Sequence, residues 1–146
     1  MADRSSTTSV CHAIEVQENA AGGDDLATDE EKTVRDALVQ RLRDAFAQHD
    51  WAETLAAYAD LAPMFKGQRI VRLEATCLAA RARVALGDRS AARALLKPIA
   101  QHTYNKVIHY DLLARAFLDL RNYKEVARVC QLADQASAAR RASETQ

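Results

Sequence analysis

The sequence predicts an all-α protein built of three antiparallel helix-turn-helix hairpins, and three observations carry that expectation. Alanine, the strongest helix former, occurs 30 times in 146 residues, while aromatic residues make up only 5% of the chain. Four glycines and two prolines are too few to punctuate a sandwich or barrel of short strands. Apolar residues recur at helical spacing in six successive stretches, four of them opened by a capping residue.

The first helix is expected to start at Thr28-Asp29-Glu30-Glu31, which has the spacing of a capping box and places acids at the positive helix end. Val34, Leu38, Leu42, Ala45 and Phe46 then form its stripe, which stops at Gln48-His49-Asp50. Asp50 opens the second helix, with Leu55, Tyr58 and Leu61 on one side and Pro63 ending it. After a turn at Lys66-Gly67, Ile70, Leu73, Cys77, Ala80 and Val84 stripe the third helix, Gly87 closes it in a left-handed conformation, and Asp88 caps the fourth. Leu95, Leu96 and Ile99 face inward there, and Pro98 calls for a kink or an early end, because it lacks an amide hydrogen and clashes with the preceding turn. Beyond a linker at 101–105, Ile108, Leu112, Leu113, Ala116, Phe117 and Leu120 stripe the fifth helix. Asn122 caps the sixth, which carries Val126, Val129, Cys130 and Leu132. A functional role and a simple turn are both open for Tyr104-Asn105-Lys106 in that linker.

These signals divide the chain into a mobile acidic arm (1–27), a helical domain (28–137) and a frayed tail (138–146). Net charge is zero, but residues 1–33 hold eight acids against two bases, and residues 64–97 hold eight bases against two acids. There is no basic start followed by an apolar run, nor about 18 apolar residues in succession, so a cytoplasmic protein with no membrane segment is expected. Cys11, Cys77 and Cys130 are odd in number and widely spaced, unlike a disulfide framework or a metal-binding pair; Cys77 and Cys130 read as small packing residues.

Overlaying the turns aligns His49-Asp50-Trp51, Gly87-Asp88-Arg89 and Arg121-Asn122-Tyr123, separated by 38 and then 34 residues. The third unit, Tyr110-Asp111-Leu112-Leu113-Ala114-Arg115-Ala116-Phe117 followed by Asn122-Tyr123-Lys124-Glu125-Val126, resembles the tetratricopeptide repeat. The second unit joins it through Ala79-Ala80, Leu86-Gly87-Asp88 and Ala92, and the first through Asp50-Trp51 and Tyr58. The resemblance spans residues 34–136 and is degenerate. Thr54 and Val126 stand where that family usually has alanine, the first spacing is four residues too long, and no unit ends in the family's proline. It implies a short right-handed solenoid that binds protein or peptide, acidic peptide included, in a concave groove lined by the first helix of each hairpin.

In that register Arg43, Arg81 and Arg115 fall at one place on the three first helices, where the resemblance implies a groove-facing position. Stacked guanidinium forks suit carboxylate or phosphate. The competing reading is a solvated charged face, with Asp111 paired to Arg115 one turn away. The acidic stretch Asp24 to Glu31 is a candidate ligand for that surface, against the simpler reading that it solvates the arm. Arg69, Arg72, Arg83, Arg89, Arg93, Lys66 and Lys97 offer contacts to nucleic acid phosphates, although no aromatic residues are interleaved for stacking. Trp51, Tyr58, Tyr110, Phe117 and Tyr123 are assigned to packing between hairpins.

No constellation for catalysis is legible. His12, His49, His102 and His109 are scattered, and there is no HExxH motif, no GxSxG elbow and no glycine-rich phosphate loop. Neither a metal nor a cofactor is expected. Arg140-Arg141-Ala142-Ser143 has the look of a basophilic kinase site. The reading is a non-catalytic adaptor or chaperone-like module, with a self-associating structural subunit joined through the stack ends as the alternative and a nucleic-acid-binding regulator as a further one.

Overall fold

A computed structural model describes residues 28–145, so the acidic arm at 1–27, with Cys11 and His12, lies outside the described residues. The chain divides into two compact units, Met1–Val34 and Arg35–Gln146. Described residues of the first form the start of a helix. Thr28 and Glu31 make the reciprocal capping box, each backbone amide bonded to the other's side chain at 3.0 Å.

The described residues form six α-helices and no strand: α1 (Asp29–Ala47), α2 (Trp51–Leu61), α3 (Arg69–Ala85), α4 (Arg89–Ala100), α5 (Val107–Asp119) and α6 (Tyr123–Glu144). A 3-10 turn at Ala62–Met64 holds Pro63, and Gly67 (φ 73°) lets the chain enter α3. The α1–α2, α3–α4 and α5–α6 pairs are hairpins with three-residue connections.

The three hairpin turns share one geometry. His49, Gly87 and Arg121 all adopt positive φ, at 60°, 87° and 59°. The next residue sends its amide back five positions, Asp50 to Ala45 (2.9 Å), Asp88 to Arg83 (2.8 Å) and Asn122 to Phe117 (3.0 Å). That bond pattern closes a helix by satisfying its orphan carbonyls. The same residue then caps the following helix: the side chains of Asp50, Asp88 and Asn122 accept from the amides of Glu53, Ala91 and Glu125.

Two apolar clusters meet at α3. Leu73, Cys77 and Ala80 pack with Leu96 and Ile99 of α4, Tyr110, Leu113 and Phe117 of α5, and Val129 of α6. Ala75 and Leu78 join Leu42 of α1 and Ala57 and Leu61 of α2. Six of the eight buried α3 residues are alanine, cysteine or threonine, so neighbours on both sides approach closely. Thr54 is fully buried yet satisfied, its hydroxyl donating to the Asp50 carbonyl at 2.8 Å, so it fills an alanine-sized slot without an orphaned polar group.

Several expectations change in the structure. Cys130 and Tyr123 are exposed, Tyr123 at 61%, and so are the stripe residues Val34, Ile70 and Ile108, because helical spacing marks an apolar face without saying whether another element covers it. The last helix continues to Glu144 through the segment expected to fray, as alanines at 136, 138, 139 and 142 favour helix and Arg140 pairs with Glu144 one turn away. Pro98 lies inside α4, which stops two residues later.

The α4–α5 linker is anchored by Tyr104, which is buried. Its hydroxyl donates to the Ile99 carbonyl (3.0 Å) and its amide donates to the Tyr110 hydroxyl (2.7 Å). Arg69 donates to the Thr103 carbonyl and lays its guanidinium 5.0 Å from the Tyr104 ring centre. Beside them His109 has a buried Nδ1 without a hydrogen-bond partner among the described residues. Burial first, then the charges of Lys106 and Arg69, hold its pKa below the usual 6.5. The unfolded chain therefore takes up a proton at His109 before the folded chain does, so stability is at its plateau above pH about 6.5 and falls as pH drops below it. Urea unfolding of wild type and His109→Gln between pH 5 and 8 checks this: the wild type loses stability on the acid side and the variant loses less.

Candidate functional site

The equivalent turns bring three helix ends to one cleft of ≈ 430 Å³. Phe46, His49 and Trp51 reach it from the first turn, Arg81, Val84 and Ala85 from the end of α3, and Leu118, Asp119 and Arg121 from the end of α5. Trp51 stacks on His49 with ring centres 5.1 Å apart and meets Phe46 edge-on at 5.5 Å. Arg81 lies with its guanidinium carbon 4.9 Å from the centre of the Phe46 ring, and its Nε donates to Asp119 Oδ2 at 2.7 Å. One cation is thus held between a ring and a carboxylate, within walls that are otherwise apolar, and His49 and Arg121 stand at the rim.

Arg43, Arg81 and Arg115 each occupy the sixth position before the positive-φ residue of their own hairpin. Each is met by an acid. Arg43 donates through Nε and Nη2 to both carboxylate oxygens of Glu74 on α3 (2.6 and 2.7 Å), and Arg115 donates to Asp111 on its own helix (2.8 Å). The Arg43 and Arg115 pKa values are raised, by the hydrogen bonds to Glu74 and Asp111 respectively. Of the three, only Arg81 lines the cleft. An acidic ligand approaching any of them must exchange with an existing carboxylate, an exchange that costs little where the pair is half exposed.

Sequence reasoning did not single out Phe46, His49, Leu118, Asp119 or Arg121 as lining residues, and it placed Trp51 in the core, where the structure leaves it half-buried at the cleft. One signal was available. Two of the three turns place a large side chain at a position where positive φ favours glycine, and such residues draw attention to a site. Gly87 occupies the middle turn, and a Cβ added there would meet nothing within 4 Å.

Among the described residues no group of three or more His, Cys, Asp and Glu is placed to hold a metal ion, and no helix is long and apolar enough to cross a membrane. Compared with models of protein families, with curated proteins and with solved structures, the chain matches none.

Proposed function

We propose that the chain is a non-catalytic, cytoplasmic protein–protein interaction module, of degenerate tetratricopeptide-like build, that serves as an adaptor or chaperone-like scaffold by holding a peptide segment in the cleft of the three turns. The observation that carries this reading is Arg81, kept between Phe46 and Asp119 in a cleft whose other walls are Trp51, Val84, Ala85 and Leu118. Aromatic and arginine side chains in a shared recess are the residue types that dominate binding energy at protein interfaces. An apolar peptide side chain suits those walls, and an acidic neighbour suits the rim of His49 and Arg121 and the Arg81 fork. Arg43, Arg115 and Asp111 extend the polar surface as paired charges that orient a ligand.

Trp51 is the single tryptophan of the chain, so its fluorescence reports directly on occupancy. Selection from a random-peptide library with purified protein is expected to enrich apolar residues flanked by Asp or Glu. Enriched peptides should shift Trp51 emission, and Arg81→Glu should weaken them roughly tenfold or more at unchanged helicity. Peptides that bind Arg81→Glu as tightly as wild type, with no change at Trp51, would sink the proposal.

A second reading, self-association through the end of the stack, is favoured by a contrast between the terminal hairpins. On the first, Arg41 bonds to Glu53 (2.5 Å) and Asp60 (2.8 Å), a polar cap. On the last, Val107 is 46% exposed, although it occupies the register position of the fully buried Leu73 on α3, and Tyr123 and Cys130 are exposed on α6. A mass that rises with concentration in sedimentation, and that falls to the monomer value in Tyr123→Lys, is the result this reading requires.

A further inference from the structure

We propose that a second cleft, between α4 and α6, binds a phosphate monoester. The bases of α4 recur every fourth residue, Arg89, Arg93 and Lys97, and so share one side of the helix. Arg89 is committed to the structure, donating to the Leu120 carbonyl at the end of α5. Arg93 and Lys97 instead line a cleft of ≈ 400 Å³, faced by Asn122, Glu125 and Arg128 and floored by the buried Phe117.

Charge in this cleft is unbalanced in a specific way. Arg128 spends its fork on Glu125 (3.0 and 2.8 Å) and on the Ala100 carbonyl (3.1 Å), so the one carboxylate of the cleft is matched to one cation. Arg93 and Lys97 have no ion-pair or hydrogen-bond partner among the described residues. They stand one helical turn apart, a spacing at which like charges repel and weaken the helix. An anion seated against both relieves that repulsion.

The excess of two positive charges selects the ligand. A carboxylate supplies one negative charge, half of that excess, whereas a phosphate monoester carries about −1.5 to −2 near pH 7 and three acceptor oxygens. Arginine's fork and lysine's point charge are both established phosphate donors. A nucleic acid strand fits less well, because Phe117, the aromatic residue of the cleft, is buried and offers no face for base stacking. The site involves none of the residues of the three-turn cleft, so it stands or falls separately from the peptide-binding reading.

The test is calorimetric titration of the full chain at low ionic strength with inorganic phosphate, O-phosphoserine and a short phosphoserine peptide, using the unphosphorylated peptide as control. Saturable one-to-one binding is expected, weakened roughly tenfold by Arg93→Gln or by Lys97→Gln and little changed by Arg72→Gln, which removes the same charge outside the cleft. Binding should also weaken as pH falls through about 6, where the second phosphate proton returns. Equal affinity for phosphoserine and its peptide would identify a free ester as the ligand, and tighter peptide binding would identify a phosphorylated protein. Absence of saturation, or an Arg72→Gln loss as large as that of Arg93→Gln, would overturn the proposal, as would a short oligonucleotide that binds wild type and Arg93→Gln alike.

Discussion

Replacing Leu96 with alanine is expected to lower the unfolding free energy by about 2–5 kcal/mol, the largest effect of any single change considered for this fold. Leu96 is fully buried and lies on α4, within a cluster to which α3, α5 and α6 also contribute apolar side chains. Truncation removes transfer free energy and also leaves a hole, and collapse into that hole is restricted because the surrounding helices are held at fixed distances by closed turns and alanine contacts. Against a total stability of about 5–15 kcal/mol for a domain this size, the loss is a large fraction of the whole. Ile108→Ala is the matched control, since 63% of Ile108 is exposed and its truncation should change stability by only about 0.5 kcal/mol or less. Urea titration followed by circular dichroism measures both, and an equal loss in the two variants would contradict the assignment of the core.

The second large effect is expected at Tyr110→Phe, at about 1–3 kcal/mol. The change deletes one oxygen and no packing, but that oxygen accepts the Tyr104 amide at 2.7 Å in a buried setting, and a buried amide donor left unpaired loses its full solvation. Tyr104→Phe should cost less. The Ile99 carbonyl it abandons keeps a contact with the His102 amide at 3.4 Å. The two variants and their combination form a cycle that reports the coupling of the linker to α5, and additivity within error would show that the two hydroxyls act independently.

The turns were legible in the sequence because their determinants are local. Asp50, Asp88 and Asn122 each satisfy an amide three residues ahead, and the left-handed residue stands immediately before them, so spacing alone exposes the hairpins. The register of Arg43, Arg81 and Arg115 follows from the same turns. Their acids were not legible for the first two: Glu74 lies 31 residues from Arg43 and Asp119 lies 38 residues from Arg81, pairings made only when α3 packs beside its neighbours. Asp111, four residues from Arg115 on one helix, was anticipated for that reason. Tyr104 was left open between a functional role and a simple turn because a single aromatic residue in a polar linker carries no periodicity from which its burial can be read, and Tyr123 and Cys130 were misplaced because a helix stripe looks the same whether or not another helix covers it. The cleft is assembled from three turns spread over some 75 residues, and no local pattern announces such convergence.

The sharing of a single residue between the close of one helix and the opening of the next has a kinetic consequence. Asp50, Asp88 and Asn122 each join two helices through a loop so short that bringing them together costs little chain entropy. Each hairpin can therefore nucleate alone, on microsecond timescales, without waiting for a distant segment to arrive. What remains for the rate-limiting step is the docking of preformed hairpins on α3, which among the described residues is the one helix that contributes to both clusters. Mutations that soften α3 should slow folding, whereas those confined to the outer faces of α1 and α6 should mainly hasten unfolding.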